Sequence, residues 1–356
     1  MRNVTLLLVC IATGFAMGSQ AAEVGGIKIG ISQPISGSNG DYFKREFVNP
    51  AILAIEEFNA KGGLLGQKIE FVVEDNRADA GTAQSAARKL VDVDHVSMIS
   101  ISISPAVLAT LPITDPNHVM VMTVSQHPKI LASEWAALST PTAAAFGVAA
   151  AKYAFENQKA MTAGLLLENN DAIRITGQAF KETFERLGGK VVEIDYFNTE
   201  NQDFRAQLTK LRAASPALLY MQAVGARAYG LSLKQAAELN FAPKYVIGGD
   251  QIVDPKVKEI AGPISSEAFY TTTKIDPEWN EKQFKPRFGY EGDGFAARVY
   301  DGTKIYLTAV QRAGASDPVK VRDTLLHIND FHGALGTWGY EGTGEPHIPV
   351  YVEPLP

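Results

Sequence analysis

The chain has a single cysteine among its 356 residues, and this residue, Cys10, lies in an apolar N-terminal stretch. Without a second cysteine the chain can form neither an intramolecular disulfide nor a site that needs two thiolate ligands. Val9 precedes Cys10 at the position where a lipoprotein cleavage site has a small residue. We therefore do not expect a lipid anchor at this cysteine.

Long hydrophobic runs are also missing. The apolar stretch Thr5–Met17 is shorter than the roughly 20 residues that a membrane span needs, which disfavours an uncleaved anchor. One N-terminal arginine, a short apolar segment and the small residues Ser19, Ala21 and Ala22 are typical of a secretory signal peptide. We therefore predict a signal peptide over residues 1–22 and an exported mature protein.

Basic residues are in the minority. Lysine and arginine number 33 against 39 aspartate and glutamate, which gives a formal net charge of -6. This balance argues against a nucleic-acid-binding protein, which usually shows a basic patch. The length suggests about two domains, and the 46% share of hydrophobic residues is enough for a core in each.

Common catalytic and metal-binding patterns are absent from the sequence. There is no G-x-S-x-G elbow, no G-x-x-x-x-G-K-[ST] loop and no H-E-x-x-H motif. His327 and His332 flank Asp330, but this trio lacks the further ligand that would complete a zinc site. We therefore expect a protein that is not an enzyme and that needs neither a metal nor a cofactor.

Two series of alternating strand and helix patterns fill most of the chain. The first runs over residues 27–123, and the second follows Ser139-Thr140-Pro141 and continues to about Gly248. Such alternation predicts mostly parallel sheets with helices on both faces. Phe295–Ala313 is predicted as one long helix, and the elements after it are too few to form a third lobe. The predicted fold class is α/β, with two Rossmann-like lobes.

The most specific pattern is the segment 52–76, ILAIEEFNAKGGLLGQKIEFVVEDN. A helix is predicted to end at Gly62-Gly63, because glycine adopts the left-handed conformation of a helix C-terminus. With the upstream strand Ile27–Ile31 this forms a strand–helix–strand crossover. The segment resembles the opening of the branched-chain amino-acid-binding proteins of the periplasm, the leucine/isoleucine/valine-binding family of ABC importers.

The C-terminal part carries a second resemblance to the same family. The helix Ala297–Gly314 contains Tyr300-Asp301 and looks like the family's "Y-D-A … A-G" helix, and the glycine-containing segment Phe331–Gly336 looks like its closing strands. The resemblance extends from about Ile27 to about Val352. It implies a type I periplasmic binding fold whose parallel-sheet lobes are joined by a three-crossover hinge.

The resemblance also implies how the chain is divided between the lobes. Lobe 1 is expected to comprise residues 27–141 and 275–335. Lobe 2 is expected to comprise residues 142–274 and 336–356.

Ligands of open parallel sheets bind beyond the carboxyl ends of the strands, so two facing lobes predict a cleft there. Ser104, Pro105 and Ala106 follow one such strand, and Ser104 and Pro105 suit an N-cap and a first helical residue. A helix N-terminus attracts anions, and the resemblance implies that this cluster binds the ligand's carboxylate. Simple capping of the helix by Ser104 is the alternative.

Two further clusters follow other strands of the predicted cleft. In the family, small and hydroxyl residues at the positions of Thr123, Ser125 and Gln126 bind the carboxylate and amino group. Asp250 lies in a segment that resembles the family's "G-P-E-G" motif, which implies that its carboxylate pairs with a ligand ammonium. A solvated aspartate in a glycine turn is the alternative for Asp250.

The remaining candidate binding residues are expected to lie beside the apolar part of the ligand. Arg174 and Gln222 fall near positions where the family places tyrosines, and they make the cleft more polar than a leucine pocket requires. Arg174 could clamp a second carboxylate, although a solvated surface arginine is the alternative. Tyr42 or Phe43 corresponds to an aromatic lid in the family.

Taken with the resemblance, these features predict a periplasmic solute-binding protein of an ABC importer. It would bind an amino acid or a similar small carboxylate or amide solute as a monomer, close by hinge bending, and dock on a permease in the inner membrane. The alternative is a binding protein of the same kind that presents its ligand to a receptor.

Overall fold

The computed structural model describes residues 27–37, 39–263 and 266–356, so the predicted signal peptide over residues 1–22 lies outside the described residues. The strands are β1 Lys28–Gln33, β2 Glu70–Asp75, β3 Met98–Ile101, β4 Met120–Thr123, β5 Ala136–Leu138, β6 Thr162–Glu168, β7 Lys190–Phe197, β8 Leu218–Gln222, β9 Tyr245–Gly248, β10 Glu267–Thr272, β11 Phe331–Gly333, β12 Gly336–Trp338 and β13 Tyr351–Pro354. The α-helices are α1 Gly40–Phe43, α2 Asn49–Ala60, α3 Ala80–Arg88, α4 Ser104–Thr114, α5 Ala143–Glu156, α6 Asp171–Arg186, α7 Arg205–Ala214, α8 Ala226–Glu238, α9 Pro255–Ala261, α10 Pro277–Trp279, α11 Lys285–Phe288, α12 Gly294–Ala313 and α13 Pro318–Leu325. Within the described ranges, no helix is both long enough and apolar enough to cross a membrane.

Two sheets form the centres of two lobes. The first sheet has the strand order β2-β1-β3-β4-β5, and all of its strand pairs are parallel. The second has the order β13-β10-β9-β8-β6-β7 and is parallel except for β13, which runs antiparallel to β10. The predicted α/β architecture with two Rossmann-like lobes is therefore confirmed.

Each sheet is buried between two layers of helices. In the first lobe, Ile29 and Ile31 of β1 pack with α2 and α12 on one face, while Ile99 and Val121 pack with α3 and α4 on the other. The second sheet likewise separates two apolar clusters. Because both faces of the central strands are covered, strands such as β4 and β8 are buried at every residue rather than at alternate ones.

The predicted glycine turn after α2 is present. Gly63 has φ +79°, and a Cβ atom at this position would lie 1.9 Å from the backbone oxygen of Gln67. A side chain is excluded there by both the backbone conformation and the contact. Glycine at position 63 is thus a steric requirement of the turn between α2 and β2.

The chain passes between the lobes in three places. It leaves the first lobe after β5, returns after β10, and crosses again shortly before β13. The predicted boundary between residues 335 and 336 is wrong, because β12 pairs with β11 and Ile348 still lies in the first lobe's core. The physical cause is the contact of Trp338 with α12, in which its Nε1–H donates to Asp301 at 2.9 Å. The last crossing therefore comes after Ile348.

Candidate ligand-binding cleft

A cavity of about 620 Å³ lies between the lobes. Its walls come from residues that follow the carboxyl ends of strands in both sheets, such as Ser104 after β3, Ser125 after β4 and Asp250 after β9. The volume is in the range of small-molecule sites, about 300–1,000 Å³. The cleft predicted beyond the carboxyl ends of the strands therefore exists as a cavity.

Most of the predicted site residues line this cavity, and four do not. Those that line it are Tyr42, Phe43, Ser104, Ser125, Gln126, Gln222 and Asp250. Those that do not are Pro105, Ala106, Thr123 and Arg174. A place in the wall shows proximity alone, so the role of each residue in binding stays a prediction.

Two of the predicted hydroxyl groups meet at the first-lobe wall. The Oγ atoms of Ser104 and Ser125 are 2.6 Å apart and share a hydrogen bond. The expectation that Ser104 is the N-cap is wrong by one residue, because α4 begins at Ser104 and Ile103 precedes it. Thr123 is buried behind this pair, and its Oγ1 accepts the backbone N–H of Ser125 at 3.0 Å. It supports the wall without reaching the cavity.

Ile103 lines the cavity in an unusual backbone conformation. Its φ of +69° lies in the left-handed region, which is strained for a β-branched residue. The preceding residue, Ser102, is fixed by a 2.5 Å hydrogen bond from its Oγ to Oε1 of Gln33 at the end of β1. Strain of this kind often concentrates at functional sites, where the surrounding structure holds it in place.

Arg174 lies outside the cavity on an exposed part of α6. Its Nε and Nη2 both donate to Oδ1 of Asn169, at 2.9 Å and 2.6 Å. Its guanidinium carbon also lies 4.6 Å from the centre of the Tyr196 ring. These contacts match the solvated arginine that the sequence left as the alternative.

The second-lobe wall is held by a buried tyrosine. The Tyr229 hydroxyl accepts the backbone N–H groups of Ala223 at 3.1 Å and Gly249 at 2.9 Å. These contacts join the loops that follow β8 and β9. Gln222 and Asp250, the neighbours of these two residues in sequence, are thereby fixed at the cavity surface.

The sequence analysis missed Arg298, which lines the cavity from α12. This side chain is only 4% exposed, and its Nη2 donates to Oγ1 of Thr273 at 3.1 Å. Its Nε has no hydrogen-bond partner, and no aspartate or glutamate of the described ranges forms an ion pair with it. Burial lowers the pKa of Arg298, and the negative charge of Asp250 opposes that shift.

A signal for Arg298 was present in the sequence. It occupies the same helical face as Gly302, Ile305 and Ala309, at intervals of four, three and four residues. Those residues are small or apolar, so the spacing predicts that Arg298 lies on the buried face of α12, as it does in the structure. A charged residue on a buried helical face is unusual unless it has a partner.

Aromatic side chains form a continuous part of the first-lobe surface, called here the aromatic wall: Tyr42, Phe43, Phe47 and Phe295. The ring centres of Phe43 and Phe47 are 4.8 Å apart, and those of Phe47 and Phe295 are 5.5 Å apart. All four residues line the cavity, and Phe146 lines it from the second lobe. The cleft thus combines an apolar aromatic surface with a few polar groups.

An acidic network fixes the aromatic wall to α12. The Tyr42 hydroxyl donates to Oδ2 of Asp293 at 3.0 Å, and Oδ1 of Asp293 caps α12 by accepting the N–H groups of Phe295 and Ala296. Oε2 of Glu46 accepts the backbone N–H of Asp293 at 3.0 Å. Burial raises the pKa of Glu46 to about 7. Asp293 is therefore engaged by contacts other than Arg298.

The described part of the chain contains no group of three or more histidine, cysteine, aspartate or glutamate side chains that could hold a metal ion. His327 and His332 instead contact nearby protein groups, the backbone oxygen of Asp323 and the hydroxyl of Thr337. Asp330 pairs with Arg312.

A family model described as "Periplasmic binding protein" matches residues 26–352, so the chain belongs to this family of periplasmic binding proteins. Members of the family bind solutes and are not enzymes, which confirms the prediction of a non-enzymatic protein. The family also confirms the type I periplasmic binding fold and implies a periplasmic location.

Individual relatives agree with this assignment. The chain is 27% identical over 353 residues to "Leu/Ile/Val-binding protein homolog 2" of Brucella abortus strain 2308, covering 97% of this chain and 93% of that protein. It is 26% identical over 341 residues to the leucine-, isoleucine-, valine-, threonine- and alanine-binding protein of Pseudomonas aeruginosa, covering 93% and 90%. The crystal structure of leucine-binding protein LivK of Thermotoga maritima is similar with a TM-score of 0.71 at 25% identity, covering 92% of this chain and 94% of that chain. The predicted resemblance to the leucine/isoleucine/valine-binding family is therefore confirmed.

Proposed function

We propose that the protein captures one small solute between its lobes and delivers it to an ABC permease in the inner membrane. The observation that carries this proposal is the cavity of about 620 Å³, whose walls come from the strand ends of both lobes. A ligand in this position contacts both lobes at once. It therefore favours the closed arrangement over the open one by its extra contacts.

The proposed solute is an amino acid or a similar small carboxylate or amide. The polar groups that support this class are the Ser104–Ser125 hydroxyl pair on one side and Asp250 on the other. A carboxylate such as Asp250 binds an ammonium group through charge-assisted hydrogen bonds, which are about twice as strong as neutral ones. The name of the Pseudomonas aeruginosa relative, a leucine-, isoleucine-, valine-, threonine- and alanine-binding protein, supports the same class.

Hinge bending is the proposed closing motion. Three short chain segments join the lobes, near residues 139–142, 273–276 and 349–350, and such segments can absorb the rotation of two rigid lobes. We propose that the monomer is the active form and that residues 1–22 are removed on export. The closed form would then be the one that docks on the permease.

The test is solute binding by protein that has been unfolded and refolded to remove any co-purified ligand. The thermal unfolding midpoint is measured with and without each of a set of amino acids, amides and carboxylic acids. Small-angle scattering of the same samples detects closure of the lobes. A solute at 100 times its dissociation constant should add about 2.7 kcal/mol to the free energy of unfolding. If no solute raises the unfolding midpoint or reduces the radius of gyration, the proposed function is wrong.

Delivery requires a second measurement. Membrane vesicles that contain the permease should accumulate the solute only when the liganded protein is added. Binding and closure without any uptake would favour the alternative, in which the protein presents its ligand to a receptor.

A further inference from the structure

The guanidinium group of Arg298 is a buried positive charge inside the cleft. Its side chain is 4% exposed, and it lines the cavity. A buried cation without a paired anion is unfavourable, because it has lost water and gained no counter-charge. This arginine therefore has more to gain from an incoming anion than any solvated residue at the rim.

The acidic groups around Arg298 do not neutralise it. Asp293 is occupied by the Tyr42 hydroxyl and by two backbone N–H groups of α12. Asp250 of the second lobe and Asp293 both attract Arg298 electrostatically, but neither forms an ion pair with it. The hydrogen bond to Thr273 uses one of the two N–H donors of Nη2, and Nε has no partner.

The free edge of a guanidinium group matches a carboxylate. Arginine presents its N–H donors in a planar fork, and a carboxylate accepts two of them in parallel. A neutral amide offers one oxygen and carries no charge, so it recovers less of the lost hydration. The buried, unpaired charge of Arg298 in the cavity wall thus points to a carboxylate rather than to an uncharged solute.

The surface beside Arg298 indicates what is attached to that carboxylate. The guanidinium carbon lies 5.2 Å from the ring centre of Phe295, which stacks on Phe47 at 5.5 Å. The first carbons beyond a carboxylate held by Arg298 would therefore meet the aromatic wall. Aromatic rings in offset or edge-to-face contact gain about 0.5–1.5 kcal/mol beyond their burial, equal to about two- to tenfold in affinity.

We propose that Arg298 binds the carboxylate of the solute and that the solute is an aromatic carboxylic acid whose ring packs on Phe295 and Phe47. The proposal rests on the proposed function of solute capture and deepens it. In this arrangement the solute carboxylate binds to α12 rather than to the Ser104–Ser125 pair. Those hydroxyls are then available to other polar groups of the solute.

The experiment compares benzoate with benzamide, which has nearly the same shape and no charge. Titration calorimetry is carried out on the wild-type protein, on Arg298→Gln and on Arg298→Lys. Wild-type protein should prefer benzoate by at least about 30-fold, and Arg298→Gln should abolish that preference through a loss of benzoate binding. Arg298→Lys should be intermediate, since lysine keeps the charge but loses the planar fork.

Arg174→Gln is the matched control. It removes an arginine that follows the cavity-lining residue Ile173 in the sequence but does not itself line the cavity. It should change the affinity for benzoate by less than twofold. Thermal unfolding without ligand checks the fold. Arg298→Gln should unfold at the same temperature as the wild type or higher, because glutamine removes an uncompensated buried charge.

A second comparison tests the aromatic class, with benzoate, 3-phenylpropionate, phenylalanine and leucine as probes. The proposal is overturned if leucine binds more tightly than every aromatic acid, or if Arg298→Gln binds the preferred carboxylate as well as the wild type does. If leucine or an amide binds more tightly than every aromatic acid and closes the lobes, the proposed function stands and this inference is overturned. Binding of none of the probes or panel solutes would overturn both.

Discussion

The Arg298 guanidinium donates to the Thr273 hydroxyl at 3.1 Å, which joins the long helix α12 to the segment that follows β10. Thr273 is the first residue of one of the three crossings between the lobes. A charged group attached at the hinge moves less during closure than one at the rim. We therefore expect a solute to contact Arg298 first. It would contact Asp250, which lies on the opposite lobe, when the lobes close.

Asp250→Asn tests whether the cleft recognises an amino group. We expect it to lower the affinity for phenylalanine by about tenfold or more, because a hydrogen bond to a charged group contributes about 1.5–3 kcal/mol. The affinity for 3-phenylpropionate, which lacks the amine, should change little. Calorimetric titration of both ligands gives the comparison.

The control for this substitution is Asp41→Asn, since the Asp41 side chain is 96% exposed. It removes the same charge and should leave both affinities unchanged. Equal losses for the two ligands in Asp250→Asn would contradict a specific role in binding the amine.

Phe295→Leu tests the aromatic wall. Leucine keeps an apolar side chain but removes the ring that stacks on Phe47. We expect about a two- to tenfold loss of affinity for aromatic acids, equal to about 0.5–1.5 kcal/mol, and a smaller change for aliphatic acids of similar size. Phe71→Leu is the control, because Phe71 is 41% exposed on β2 and does not line the cavity. A uniform loss for both classes of acid would show that the ring only fills space.

Glu46→Gln tests the buried acid behind the aromatic wall. Burial and the nearby Asp293 raise the pKa of Glu46 to about 7, against 4.5 for an ordinary glutamate. The folded state therefore binds this proton more tightly than the unfolded state. The contribution of Glu46 to stability is complete below about pH 4.5 and is lost as the pH rises through 7.

Glutamine keeps an oxygen for the Asp293 N–H and carries no charge. We expect Glu46→Gln to be more stable than the wild type at pH 8, and this advantage to disappear toward pH 4.5, as measured by urea unfolding. Glu70→Gln, on an exposed residue paired with Lys28, should not show this trend. A pH profile for Glu46→Gln that runs parallel to the wild type would exclude titration of Glu46 in this range.

Asp301→Ala tests the link that keeps β11 and β12 in the first lobe. Asp301 is fully buried, and it accepts the N–H groups of Ala334 at 2.6 Å, Leu335 at 3.0 Å and Trp338 at 2.9 Å. Alanine leaves three buried donors without an acceptor, so we expect a loss of about 3–5 kcal/mol in the free energy of unfolding.

Asp301 does not line the cavity, so the affinity of the folded variant for its solute should be unchanged. The control is Asp330→Ala, which breaks an exposed pair with Arg312 and should cost about 1 kcal/mol or less. A loss below about 1 kcal/mol in Asp301→Ala would show that the hairpin is held by apolar packing alone.

Local sequence patterns predict most of the strands and helices of the fold. The strand and helix alternation located the strands near Ile29, Ile99 and Val121, and the predicted long helix starts one residue from its observed position, Gly294. Local sequence patterns do not predict strands that are very short or that pair with distant parts of the chain. The strands β5, β10 and β13 were not predicted, since β5 has three residues and β13 pairs with a strand about 80 residues earlier in the chain.

Only part of the candidate site is predictable from the sequence, because local patterns locate strand ends but not contacts between distant segments. Ser104, Ser125 and Asp250 follow strands whose positions were recognisable, and the carboxyl ends of parallel strands meet at one edge of a sheet. Arg298 follows no strand. Its helix belongs to the first lobe only because the chain crosses back after β10, so no rule about strand ends could place it in the cleft.

The sequence by itself determined the class of fold, the family and the edge of each sheet at which the cavity lies. These depend on periodicity and on glycine conformations, which neighbouring residues set. The tertiary structure decided which side chains face the cavity, which charges are neutralised, and where the last crossing lies. Those outcomes depend on contacts between distant segments, such as Arg298 with Thr273 and Trp338 with Asp301, whose partners only the folded chain brings together.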